Sequence, residues 1–211
     1  MQRFRVGEIV IRRFLIVLLT LAVLASARPA YAAYSQDVRA AIAAEAEGRL
    51  DDAIGLLTRA ITTGGLTGFD LATAYDFRGN VFDDKGDAVK AISDYNRALK
   101  VVPNFSQALN DRGIAYSDLG NYDAALKDYD RAIELKPDFA QAYNNRGLAY
   151  HRKALDAKAI EDFGKAIQLN PRYAHAYYNR AIARHLRGDE SGAQKDYLEA
   201  IRLDSKLEKP H

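Results

Sequence analysis

The sequence predicts an all-α protein built from stacked antiparallel helix pairs, and three observations carry that prediction. First, NDRGIAYSDLGNYDAALKDYDRAIELKPDFA at 110 to 140 is followed by NNRGLAYHRKALDAKAIEDFGKAIQLNPRYA at 144 to 174, a displacement of 34. Second, small and apolar residues within each copy recur three, four and seven apart, as one buried stripe on a helix requires. Third, glycine and proline return at fixed places between the stripes, where helices turn or stop. One helix pair cannot bury its apolar face alone, so the copies supply one another's core.

Residues 1 to 32 read as an export signal. Arg3, Arg5, Arg12 and Arg13 precede the apolar run FLIVLLTLAVLA, and Ala30 and Ala32 offer small residues before a cut. The uncharged run from 14 to 27 is shorter than the roughly 18 residues a spanning helix needs, so cleavage near Ala32 is expected, with an uncleaved anchor as the other reading. No second such run follows, so no stable membrane insertion is expected after cleavage, and an export signal places the product in the periplasm of a Gram-negative cell. Beyond the signal the chain carries 25 basic and 27 acidic residues, so the formal +2 of the whole chain is a property of the leader. No nucleic-acid partner follows from it. Cysteine is absent, which removes disulfides, thiolate nucleophiles and cysteine metal sites.

Residues 33 to 71 hold a worn copy with Gly48, Ala53 and Ala60 in step with later glycines and alanines. The step from Ala53 to Ala91 is four residues too long, and TTGGLTGFD at 62 to 70 absorbs the excess as a glycine-rich loop. Four units of equal length follow at 72 to 105, 106 to 139, 140 to 173 and 174 to 207, with a tail at 208 to 211. Counting positions within a unit, helix A is expected over 1 to 14 and helix B over 15 to 28. Position 8 is Gly79, Gly113, Gly147 and Ala181; position 24 is Tyr95, Tyr129, Phe163 and Tyr197; position 32 is Pro103, Pro137, Pro171 and Ser205. Small residues at 8, 20 and 27 let two backbones approach while the ring at 24 fills the space beside them. Gly86, Gly120 and Gly188 at position 15 turn the chain between helices, and Ala154 is the uncomfortable exception.

With Tyr75, Leu109, Tyr143 and Tyr177 at position 4, Gly or Ala at 8, an aromatic at 11 (Phe82, Tyr116, Tyr150), Ala at 20 and 27 and Pro at 32, the chain closely resembles the tetratricopeptide repeat family. The last unit departs from that pattern at Ala181, Arg184 and Ser205, as terminal repeats do. The resemblance implies a right-handed α-solenoid whose concave face, lined by helix A, holds a protein or peptide. Positions that line that groove in the family fall here on Asn110, Ile114, Asn144, Leu148, His151, Arg152, Tyr178 and Ile182. The asparagines would hydrogen-bond a partner's backbone while Ile114, Leu148 and Ile182 meet its apolar side chains; the alternative is that these aliphatics only support packing. Position 5 is never lysine, which argues against a clamp for a C-terminal carboxylate.

Arg78, Arg112, Arg146 and Arg180 at position 7 keep step with Asp94, Asp128, Asp162 and Asp196 at position 23. They read as structural ion pairs, with a basic rail for an acidic partner as the rival. His151, His175, His185 and His211 do not space as metal ligands, and solvated groove histidines are expected. No Ser-His-Asp set, phosphate loop or HExxH occurs. The expectation is therefore a non-catalytic scaffold or adaptor of the cell envelope without a cofactor. The alternative is a homo-oligomer pairing through Leu198, Ile201 and Leu203 of the last helix, a possible homodimer.

Overall fold

The computed structural model describes residues 36–63 and 65–207; the export signal expected over 1 to 32 and the tail at 208 to 211 lie outside the described residues. Among the described residues the chain forms ten α-helices and no strand. They fall into two compact units, residues 1 to 103 and 104 to 211.

The first unit contains α1 (Gln36–Ala46), α2 (Leu50–Thr62), α3 (Gly68–Asp84) and α4 (Ala88–Val101). Its core gathers Val38, Ile42, Leu57 and Val81 around a set of alanines. Three residues expected in the loop at 62 to 70, Gly68, Phe69 and Asp70, belong instead to α3, which starts at Gly68, four residues ahead of position 1, whereas every later A helix starts at position 1. The insertion is about one helical turn of 3.6 residues, so the added turn leaves the buried stripe of α3 in register.

The second unit contains α5 (Ser106–Asp118), α6 (Tyr122–Leu135), α7 (Ala140–Arg152), α8 (Asp156–Leu169), α9 (Ala174–Leu186) and α10 (Glu190–Leu203). Each B helix runs over positions 17 to 30 rather than 15 to 28. The shift has a local cause at both ends. Position 15 lies in the left-handed region at Gly86, Gly120 and Gly188, with φ of 81°, 76° and 81°, and cannot be helical. Position 31 is extended, with φ of −129° at Val102, −138° at Lys136 and −135° at Asn170, because the following proline excludes the helical region. Asp204 adopts the same conformation before Ser205, with φ of −142°, so the stop persists without the ring.

Packing inside each pair follows the predicted ring-against-glycine contact. Tyr95, Tyr129 and Phe163 are fully buried, and a Cβ built on Gly79, Gly113 or Gly147 would stand only 2.6, 2.6 or 2.7 Å from a ring carbon. In the fourth repeat Ala181 supplies that Cβ, and Tyr197 sits farther out, 8% exposed against 1% for Tyr129.

Candidate functional site

Each hairpin turn is built from the chain's own hydrogen bonds. After helix A, the amide at position 15 donates to the carbonyl three residues back and the amide at position 16 to the carbonyl five back, as in Gly120→Ser117 and Asn121→Tyr116. This pairing satisfies carbonyls the helix leaves open. Position 16 also caps helix B: the side chains of Asp87, Asn121 and Asp189 accept from Lys90, Ala124 and Gly192 amides. The third repeat keeps the backbone pairing but lacks both the glycine and the cap. Ala154 holds φ 57° without being glycine, and Leu155 provides no cap.

The Arg and Asp series forms the predicted ladder inside each repeat. Nε and Nη2 of Arg78, Arg112, Arg146 and Arg180 donate to the two carboxylate oxygens of Asp94, Asp128, Asp162 and Asp196 at 2.6 to 2.8 Å. The free edge of the guanidinium reaches back one repeat, to position 25. Arg78 Nη1 donates to Thr58 and Arg146 Nη1 to Asp130, while at Arg180 the corresponding neighbour is Gly164, which offers no side-chain acceptor. The Asp162 hydrogen bond raises the Arg146 guanidinium above its usual range, and burial pushes the Asp162 carboxyl upward against the pull of that same arginine. Both directions describe one ionised pair whose desolvation offsets much of its attraction. The ladder is thereby consumed in structure rather than presented as a basic rail.

The candidate groove is the face where α5, α7 and α9 lie side by side. Asn110 and Asn144 do not point their amides outward: they are 3% and 4% exposed. They belong to a run of side-chain hydrogen bonds crossing three repeats. Asn179 donates to Asn144 at 3.0 Å, Asn144 to Asn145 at 3.4 Å, Asn145 to Asn110 at 3.0 Å, and Asn110 to the Asp111 carboxylate at 3.0 Å. Gln107 also donates to Asp111. All donors point the same way, toward a buried charge, which polarises each amide in turn. Asn145, Asn179 and Asp111 at position 6 were not among the residues the sequence singled out.

The apolar row is half-buried. Ile114 packs beside Tyr129 and Ala149, and Leu148 beside Phe163 and Ala183, so each braces its own repeat against the next; Ile182 is likewise half-buried. His151 Nδ1 lies 2.6 Å from Asp156, the first residue of α8, and His185 Nδ1 lies 3.0 Å from Glu190, the first of α10. These histidines tie the end of helix A to the start of helix B; they are not simply solvated. Tyr178 is half-buried with its ring 6.4 Å from that of Tyr197, and burial raises its phenol above the ordinary value. Arg152 is exposed, as are Gln107, Gln141 and Leu186 along the same helices. Among the described residues no three His, Asp or Glu side chains group closely enough to hold a metal ion.

Four tetratricopeptide-repeat profiles match the sequence, at residues 94–127, 115–153, 140–173 and 157–208, together spanning more than half of the chain. No curated protein matches it. Among solved structures, MamA superposes with a TM-score of 0.67 at 23% identity, over 79% of this chain and 95% of that one. YrrB, a TPR protein with an unusual peptide-binding site, superposes with 0.61 at 21% identity, over 80% and 85%. The first TPR of Spaghetti (RPAP3), bound to the HSP90 peptide SRMEEVD, gives 0.56 at 22% identity, over 59% and 99%. Such identities establish a shared fold. With the 34-residue recurrence, the ring-against-glycine packing and the four profile matches in agreement, the chain belongs to the tetratricopeptide repeat family.

Proposed function

We propose that the chain is a non-catalytic scaffold that binds an extended or helical segment of another protein across α5, α7 and α9, and that residues 1 to 32 direct it to the periplasm. The observation that carries this reading is the asparagine run. It fixes three A helices side by side through part-buried hydrogen bonds, so the exposed residues above it, among them Gln107, Gln141, Arg152 and Leu186, are positioned before a partner arrives. A pre-ordered surface spares binding the entropy of arranging it. YrrB and the RPAP3 repeat, which share the fold, have a peptide-binding site and a bound peptide. In this reading the polar atoms of Asn110 and Asn144 support the surface, and Arg152, Leu186 and the exposed edge of Tyr178 meet the partner.

The test is a displayed-peptide selection on residues 33 to 211, followed by titration of the selected peptides. Arg152→Glu with Leu186→Asp, both exposed, should leave melting unchanged and weaken binding by about tenfold or more. Peptides that bind the double variant as well as wild type would move the site off this face.

A second reading, self-association, has one observation in its favour. Position 25 is where earlier repeats receive the next arginine, and in α10 that position is Leu198, 57% exposed.

A further inference from the structure

Within the first unit, α3 and α4 enclose an open pocket of about 260 Å³ lined by Arg78, Phe82, Lys90, Ser93, Asp94 and Arg97. Three cations face one carboxylate on the lining, and with Asp87 paired to Lys90 at the rim one formal positive charge remains. The carboxylate acts as the pocket's internal anchor. Asp94 is almost wholly buried and accepts Nε and Nη2 of Arg78 at 2.6 and 2.8 Å and Nη1 of Arg97 at 2.9 Å. Arg78 is held further by Thr58 through Nη1, and both guanidinium groups lie against the Tyr75 ring, at 5.7 and 5.8 Å. Lys90 stands 5.5 Å over the Phe82 ring and pairs with Asp87 at the rim.

These contacts leave specific donors unused. Nε and Nη2 of Arg97 and the Ser93 hydroxyl have no acceptor among the described residues, and the Lys90 ammonium keeps capacity beyond its contact with Asp87. A guanidinium edge, an ammonium and a hydroxyl lining one pocket with an aromatic ring match a group with several acceptor oxygens and negative charge. A cation would be repelled, and a neutral group would leave the excess charge unanswered.

We propose that this pocket is an oxyanion-binding site, taking a phosphate or carboxylate group, with Arg97 and Lys90 as its principal ligating residues and Arg78 held in place by Asp94. The site lies in the first unit and does not depend on the groove reading for the second. Arg152→Glu with Leu186→Asp should leave it intact, so the two readings fail separately.

The experiment follows the Arg97 Nε–H resonance of residues 33 to 211 during titration with inorganic phosphate and, separately, with hexaglutamate. A saturable shift is expected, weakened about tenfold by Lys90→Ala. Arg97→Ala removes that reporter, so its binding is read by calorimetry and should fall by a similar factor. Both side chains are more than half exposed, so thermal melts should remain close to wild type. Lys195→Ala, an exposed lysine of the second unit, should leave binding unchanged. A response to phosphate alone assigns the site to small anions, and one that includes hexaglutamate extends it to acidic side chains. No saturable shift with either probe, or equal weakening by Lys195→Ala, would overturn the proposal.

Discussion

At residue 113 only a hydrogen fits between helix and ring, since a Cβ would approach Tyr129 to 2.6 Å. Gly113→Ala should therefore destabilise the protein. Overpacking costs roughly 1 to 3 kcal/mol, and about 1 kcal/mol returns through better helix propensity, leaving a net loss of about 1 kcal/mol in urea unfolding. A gain in stability would show that Tyr129 moves aside without cost, as Tyr197 has partly done beside Ala181. This pairing was legible in the sequence because both partners recur at one spacing, and so was the Arg and Asp ladder. The asparagine run was not. Its inter-repeat bonds join position 5 to position 6 of the next repeat, residues 110 to 145 and 144 to 179. Comparing like positions passes over a partner displaced by one more residue. The sequence accordingly assigns Asn110 and Asn144 to the groove lining, whereas in the structure both side chains are buried and bonded to their neighbours.

The helix pair is the level at which the third repeat differs from the others. Its turn repeats the hydrogen bonds of the rest, Ala154→His151 and Leu155→Tyr150, but makes them with a residue that pays for a left-handed backbone and with no side chain over the first turn of α8. Ala154→Gly should stabilise by roughly 1 kcal/mol by relieving that conformation, and Leu155→Asp by about 1 kcal/mol by restoring the cap. Being adjacent, the two need be additive only approximately; urea midpoints of the single and double variants provide the check. An unchanged midpoint for Ala154→Gly would show that the positive φ is held at no cost. Glycine at position 15 made the turn readable in sequence, whereas the added turn of α3 was not. Gly64, Gly65 and Gly68 mark a break, but glycine content alone does not say where the next helix resumes, and it resumes at the last of them.

For the molecule as a whole, the consequential exposure is Leu198 on α10. If that face pairs with a second copy, light scattering of residues 33 to 211 at micromolar concentration should report a dimer, and Leu198→Lys should return it to a monomer without lowering its melting temperature. A monomeric wild type would leave the groove reading as the only one.

The asparagine run also limits how this array can grow. Copying the third repeat in place would lengthen it by two amides, because Asn144 and Asn145 carry both an acceptor and a donor to the next junction. Copying the fourth would interrupt it, since Tyr178 stands where a carbonyl is required. The repeats are thus interchangeable as helical hairpins yet not as links, and the order in which they are strung is written in their side chains.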